Sequence, residues 1–275
     1  MNAGALEFTI EGVGLCAPGL PSWADAGEIL RGERDYVSAE LQRPATSLLS
    51  PNERRRAPDS VLLALAVAEQ ACSMAGREPR TLPNVFASAY GDLAINDYLC
   101  AELARAPLDL SPTKFHNSVH NAPAGYWTIA TGCMAASSAV SAGAETFAAA
   151  LLEAALIACR ESTPTLLAVF DTTTQGPLAD VVASTAAFAM AFVLAPGKAL
   201  AREKNAGIAN IGLRWGSGEA RGLAPPPASM HALQATSPAA ASLPLLVALA
   251  KRESGGLMLA AGPGAASHLH LEISF

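Results

Sequence analysis

A chain of 275 residues is long enough for one large domain with a substantial core, and 51% apolar against 15% charged residues leaves much of its surface without charge. A net charge of −6 and a pI near 5.4 argue against affinity for nucleic acid or anionic membrane, because both need a basic face. Five scattered cysteines, odd in number and without a CxxC, exclude a disulfide framework and a zinc–cysteine site, and point to a reducing cytoplasm.

The segment Phe8–Leu15 alternates and ends in glycine and proline, so it reads as a strand. Trp23–Arg31 is a short helix. Ser50-Pro51-Asn52-Glu53 opens another, with Ser50 as N-cap and Glu53 closing a capping box. A longer helix follows over Pro58–Ala75, stopped by Gly76. Pro83–Ala89 is a buried strand ending near Gly91, and Leu93–Arg105 a helix. Asn117–Thr131 reads as one helix with Pro123 inside it, which requires a kink or a late start. Ser137–Ala142 is a short strand and Ala144–Ala158 an alanine-packed helix. The continuous apolar runs Thr165–Asp171 and Ala186–Leu194 are central strands, with a break at Pro196-Gly197. Ile208–Trp215 is a strand, Leu223–Pro227 a proline loop, and Leu243–Arg252 a helix. Gly256–Ala261 is a strand followed by a Gly/Pro turn, and His268–Phe275 a closing strand. Strands interleaved with helices give a layered α/β fold.

Glu7 and Glu11 stand where a basic leader would be, so no signal peptide is expected. The longest apolar stretch, Cys133–Cys159, is broken by Glu145 and Glu153 and is too polar for a membrane span. The glycines form neither GxGxxG nor a P-loop, and no cofactor is expected.

Between Val140 and Ala150 the chain reads VSAGAETFAAA, and the run before it, Ser111–Gly132, reads SPTKFHNSVHNAPAGYWTIATG. Phe115, Asn117, Asn121, Ala124, Gly125 and Ile129 in that run resemble the approach to the catalytic cysteine of the β-ketoacyl synthases. Glu53–Arg56, Val85–Ser88 with Gly91, and Ala186–Leu194 resemble other parts of the same family. The resemblance covers about residues 8–196. It implies a thiolase-like α-β-α-β-α layering built from two similar halves, the first near complete and the second shortened. Residues 1–196 would form the ketosynthase-like half and 197–275 a reduced half packed on it. Ile208–Gly212 and Gly256–Phe275 resemble the opening and closing strands of that second half.

An ungapped match sets the family's cysteine at Ala144, and a shift of one residue sets it at Gly143. Neither can attack a thioester. The family's two histidine motifs, HGTGT and a later NxxGH, are also missing. Those imidazoles would stabilise the charge that develops on decarboxylation. Three losses together imply a non-catalytic relative of the chain-length-factor type, as in aryl-polyene and xanthomonadin-type pigment clusters. Such a subunit pairs with a full-length β-ketoacyl synthase, meets acyl carrier protein through that partner, and shapes the acyl tunnel. The alternative is a minimal condensing or decarboxylating synthase with an unusual nucleophile. A free-standing acyl-binding module is a third possibility.

The candidate residues follow from this resemblance. Ala142, Gly143, Ala144 and Glu145 form the degenerate elbow. Gly143 would permit the turn and Glu145 would complement the helix N-terminus. Ser137, Ser138 and Val140 lie on the strand that would pair across a dimer. Lys114, Phe115 and His116 correspond to positions that reach into the tunnel. Cys133, Cys159 and Ser141 are the substitute nucleophiles to test. His116 with His120, and His268 with His270, have the spacing of paired metal ligands, but no acidic or cysteine cluster completes a site. Asp171–Gly176 reads as a polar loop.

Overall fold

Segments of alternating or continuous apolar sequence become strands, and caps set the helix ends. The computed structural model describes residues 5–174, 176–182, 184–198, 207–216, 223–262 and 267–275. The first strand, β1, spans Leu6–Cys16. Helix α1 (Trp23–Arg31) starts at Ser22, whose hydroxyl accepts from the Asp25 amide, and stops at Gly32. Helix α2 (Pro51–Arg56) opens on the expected capping box, in which the Ser50 hydroxyl accepts from Glu53 N and the Glu53 carboxylate accepts from Ser50 N. Helix α3 (Asp59–Ala75) ends at Gly76 in the left-handed region.

Strand β2 (Asn84–Ala87) and helix α4 (Leu93–Arg105) come next. The single helix expected over Asn117–Thr131 is instead two, α5 (Pro112–Asn117) and α6 (Ala122–Thr131). Pro123 falls in the first turn of α6, where its missing N–H leaves no helical bond unmade. Strand β3 (Ser137–Val140), helix α7 (Thr146–Glu161), β4 (Thr165–Asp171) and β5 (Phe188–Pro196) complete the first half. The second half holds β6 (Ala209–Gly216), α8 (His231–Gln234), α9 (Leu243–Lys251), β7 (Gly255–Ala260) and β8 (His268–Ser274). Gln175 and the Gly/Pro turn after β7, at Pro263-Gly264, lie outside the described residues.

The strands run in the order β3-β2-β4-β5-β1-β6-β8-β7, with β2 parallel to both β3 and β4 and the other pairs antiparallel. The first half supplies five strands and the shortened second half three. The two sets are joined through β1, which pairs with β5 over Phe8–Cys16 and with β6 over Leu6–Ile10. An irregularity between Ile10 and Gly12 bends β1 where β6 leaves it.

Two cores cover the faces of the sheet. On one face α3 and α6 bury Leu62, Leu65 and Trp127 against Phe86, Phe170 and Val193. On the other, α7, α1 and α9 bury Phe147, Leu30 and Leu246 against Ile10, Phe192, Ile211 and Leu271, so both halves share this core. Helix α3 lies so close to β1 that a Cβ at Gly14 would fall on the Val67 carbonyl oxygen. The outer face of β6 and β8, with Arg214, His268, His270 and Glu272, is half-buried or exposed.

Candidate functional site

The strands β3, β2 and β4 end together, and the elbow forms at this edge. After Val140 the chain turns through Ala142 into a short 3₁₀ turn, Gly143–Glu145, and then into α7. Gly143 carries φ of +57°. This is the left-handed region, where glycine sits without the strain that a side chain would bring. A Cβ built on Gly143 would meet nothing within 4 Å. Gly143 therefore holds a strained place in the turn that opens to free space, while Ala144 follows it inside the 3₁₀ turn. Thr146 ties the turn from within: its hydroxyl accepts from Ala142 N at 2.9 Å and donates to the Gly143 carbonyl at 2.7 Å. Glu145 occupies the N-cap position of α7 but makes no side-chain cap hydrogen bond. Gly143→Ala should cost about 1–2 kcal/mol, the price of a Cβ in the left-handed region, since space is not limiting. A fall of several degrees in thermal midpoint would register it.

Asp171 sits next to this turn and was legible only as the start of a polar loop. It is the last residue of β4 and is 1% exposed. One carboxylate oxygen accepts from the Ser88 hydroxyl at 3.0 Å and the Ala89 amide at 2.9 Å; the other accepts from Ala239 N at 2.8 Å. It thus holds the end of β2 to the 3₁₀ turn Pro238–Ser242 of the second half. Burial pushes its pKa up to about 6, against the pull of these donors and of nearby His120. His120 in turn bonds the Ser88 carbonyl through Nε2 at 2.9 Å.

Strand β3 is the edge of the sheet, bonded to β2 alone among the described residues. Ser137 is exposed, Ser138 and Val140 are half-buried, and Val140 packs on the core shared by both halves. The Ser137 hydroxyl donates to Asn84 Oδ1 at 2.6 Å. Lys114, Phe115 and His116 follow one another on α5 and part company: the Lys114 ammonium lies 3.5 Å from the centre of the Tyr98 ring, Phe115 is 64% exposed, and His116 lines a groove with Val119, Tyr126 and Ile129.

The substitute nucleophiles are badly placed. Cys133 is buried by Asn84 and Leu82, at the start of β2. The elbow lies beyond the other end of that strand, roughly 10 Å away over three residue steps. Cys159 is near the far end of α7, about 20 Å from Thr146 along the helix axis. Burial raises its pKa, and its thiol meets the Glu7 carbonyl. Cys16 and Cys72 are pushed up to about 11 and about 12 by burial. Ser141 adjoins the turn, but its hydroxyl donates to the Ala89 carbonyl at 2.9 Å. His116 and His120 do not share a helix face, because α5 ends at Asn117. His268 and His270 do share the outer face of β8. Among the described residues no group of three or more His, Cys, Asp or Glu could hold a metal. No helix among them is long and apolar enough to cross a membrane.

The chain matches the model of the β-ketoacyl synthase N-terminal domain over residues 30–248. No curated protein matches it. Among solved structures it resembles the ketosynthase ApeO in complex with its chain length factor ApeC from Xenorhabdus doucetiae, at 22% identity and a TM-score of 0.69, covering 96% of this chain and 98% of that one. It also resembles the ishigamide ketosynthase/chain length factor, at 16% identity and a TM-score of 0.70, covering 98% and 99%. A third likeness, at 10% identity and a TM-score of 0.72, covering 98% and 99%, is to AntDE:AntF, a type II PKS acyl-carrier protein in complex with its ketosynthase bound to the hexaketide. The chain belongs to the β-ketoacyl synthase family, as a member whose strand-to-helix turn reads Ala142-Gly143-Ala144-Glu145.

Proposed function

We propose that this chain is a non-catalytic, chain-length-factor-type subunit. It pairs with a full-length β-ketoacyl synthase and bounds that enzyme's acyl tunnel in polyene, polyketide or fatty-acid-type biosynthesis. The observation that carries this reading is the elbow: the turn that should present a nucleophile is formed, and glycine stands at its outward place. Acyl transfer needs a nucleophile with a base in reach. Ser141 and Thr146 carry the hydroxyls at the turn, and each donates its proton to a backbone carbonyl.

The partner half of the reading rests on the edge of the sheet. An edge strand is a template for pairing with another chain. Around β3 the surface is apolar: Ile129 is 80% exposed and Met134, between α6 and β3, is 94% exposed. Phe115 on α5 and Val119 in the turn after it are exposed as well. Exposed apolar area of this kind marks an interface. The solved complexes that this chain resembles include two of a ketosynthase with a chain length factor. Pairing through β3 would set Phe115 and His116 beside the partner, while acyl carrier protein docks on the active subunit. An aryl-polyene product and a cytoplasmic location go with this reading.

Incubation of the purified chain with an acyl-carrier thioester should give no covalent mass increase, and co-expression with a full-length ketosynthase should give a stable 1:1 native mass. An acyl adduct on Ser141 or Cys133, or turnover of malonyl thioester by the chain alone, would overturn the reading.

A further inference from the structure

The sheet has two ends, β3 and β7. Strand β7 pairs with β8 alone among the described residues, in a register unbroken over its 6 residues. Just past the strand, the Ala261 amide donates to the Ser267 carbonyl at 3.0 Å. Alternate residues of an antiparallel ladder face the same neighbour. Gly255, Leu257 and Leu259 therefore turn their backbone groups toward β8, and Gly256, Met258 and Ala260 turn theirs to the open edge. Natural sheet edges are guarded by lysine, proline, a bulge or an inward-pointing charge. Strand β7 reads GGLMLA and carries none of these.

What fits this edge is set by the strand's own pattern, and the strand is complementary to itself. Laid antiparallel to a second copy, about a two-fold axis through Met258, its outward groups form hydrogen-bonded pairs: Met258 with Met258, and Gly256 with Ala260 on either side. On the core face, Leu257 of each copy stands opposite Leu259 of the other. Leu257 is half-buried and packed on the core, and Leu259 is buried. With Leu271 and Leu269 behind them, a row of leucines then runs across the axis. On the outer face, small residues meet: Gly256 lies against Ala260. Behind them on β8 stand Glu272, beside Gly256, and His268, beside Ala260. The pairing thus turns the carboxylate of each copy toward the imidazole of the other over two small residues, with their backbones about 14 Å apart. Symmetry repeats this attraction, and β7 holds no charge of its own to oppose it.

We infer that β7 is a second interaction surface, through which two copies of this chain join into one continuous sheet centred on Met258. It lies at the opposite end of the strand order from β3. The contact therefore goes beyond the subunit role and leaves β3 free for another chain, and either reading can fail without the other. So short an edge buries little area, which places the contact among weak, reversible interfaces with micromolar dissociation constants.

Sedimentation of the purified full chain and a symmetric cross-link test it together. The chain should show a reversible monomer–dimer equilibrium in the micromolar range. Ala260→Pro removes an outward donor and none that faces β8, and it should weaken the dimer about tenfold or more. Ala139→Pro, at the other end of the sheet, should leave the dissociation constant as it was. In a Cys100→Ser background, which removes the exposed thiol, Met258→Cys should form a disulfide-linked dimer under oxidised glutathione. A hydrogen-bonded pair holds its Cα atoms about 5.5 Å apart, within disulfide reach. Ala260→Cys faces Gly256 of the other copy and should not cross-link. Thermal midpoints close to the parent's identify the variants that fold, and the cross-link needs no proline. A chain that stays monomeric through the micromolar range, a dimer indifferent to Ala260→Pro, or Met258→Cys no more cross-linked than Ala260→Cys would overturn the surface.

Discussion

Ala139→Pro should separate this chain from a ketosynthase partner while leaving its own fold in place. The argument is one of hydrogen-bond direction. Asn84 N bonds the Ala136 carbonyl, and Ser88 N bonds the Val140 carbonyl. In a parallel ladder this alternation turns residues 136, 138 and 140 of β3 toward β2 and turns 137 and 139 away from it. The amide of Ala139 therefore faces the open edge. Proline there removes a donor from the outer edge and none from the inner ladder, and proline is tolerated on edge strands for that reason. If β3 pairs across a dimer, the loss of that bond together with the bulk of the ring should cost about 3 kcal/mol, roughly a hundredfold in Kd.

The measurement is a pair: native mass of the co-expressed complex, and the thermal midpoint of the chain alone. Ser138→Pro is the matching control, because its amide faces β2 and its loss should lower the midpoint of the chain itself. A complex that survives Ala139→Pro unchanged would remove β3 from the interface. A conservative Ala139→Ser should restore assembly, since it returns the donor without the ring.

The elements were legible because their ends are written in local chemistry. Ser50 and Glu53 announce the start of α2, and Gly76 announces the end of α3. Apolar runs such as Thr165–Asp171 are typical of central strands, and that segment is buried throughout. What stayed hidden depends on contacts distant in sequence. Nothing near Ser118–Asn121 told that α5 would stop and separate His116 from His120. The join of the two halves through β1 is a matter of strand order, on which periodicity is silent. The elbow showed as a missing cysteine, but the strained turn at Gly143 showed only in a backbone angle. The segment 38–44 has no periodicity and forms no regular element, so its place in the fold left no trace in the pattern. Asp171 was the clearest omission. A strand that ends in a carboxylate followed by three threonines reads as the start of a solvated loop, and only folding shows that three donors from residues 88, 89 and 239 close on it.

Removing that carboxylate should therefore be the most damaging single change in the core. Two opposed effects decide the size. Burial penalises the ionised form, as its pKa of about 6 against an ordinary 3.8 shows, and relief from that penalty would stabilise a neutral substitute by about 3 kcal/mol. Against it stand three donors that would lose their acceptor, each worth about 1–3 kcal/mol when left buried and unpaired. The donors win. Asp171→Ala should lose several kcal/mol and fold poorly, and Asp171→Asn should lose less. Its amide oxygen can still serve Ser88 and Ala89, but its NH₂ group meets the Ala239 N–H donor to donor. The pH dependence carries the opposite sign from that of an ordinary paired carboxylate. Because the folded-state pKa is raised, the native protein holds this proton more tightly than the unfolded chain between pH about 4 and 6. The contribution of Asp171 is then greatest below pH 4 and declines as pH rises to about 6, after which it is flat. Chemical denaturation of the parent and of Asp171→Asn at pH 4.5 and pH 7 isolates this group from the other carboxylates. The parent's advantage over the variant should shrink by about 2 kcal/mol toward neutral pH, and an advantage that grows would show Asp171 held ionised by its donors down to low pH.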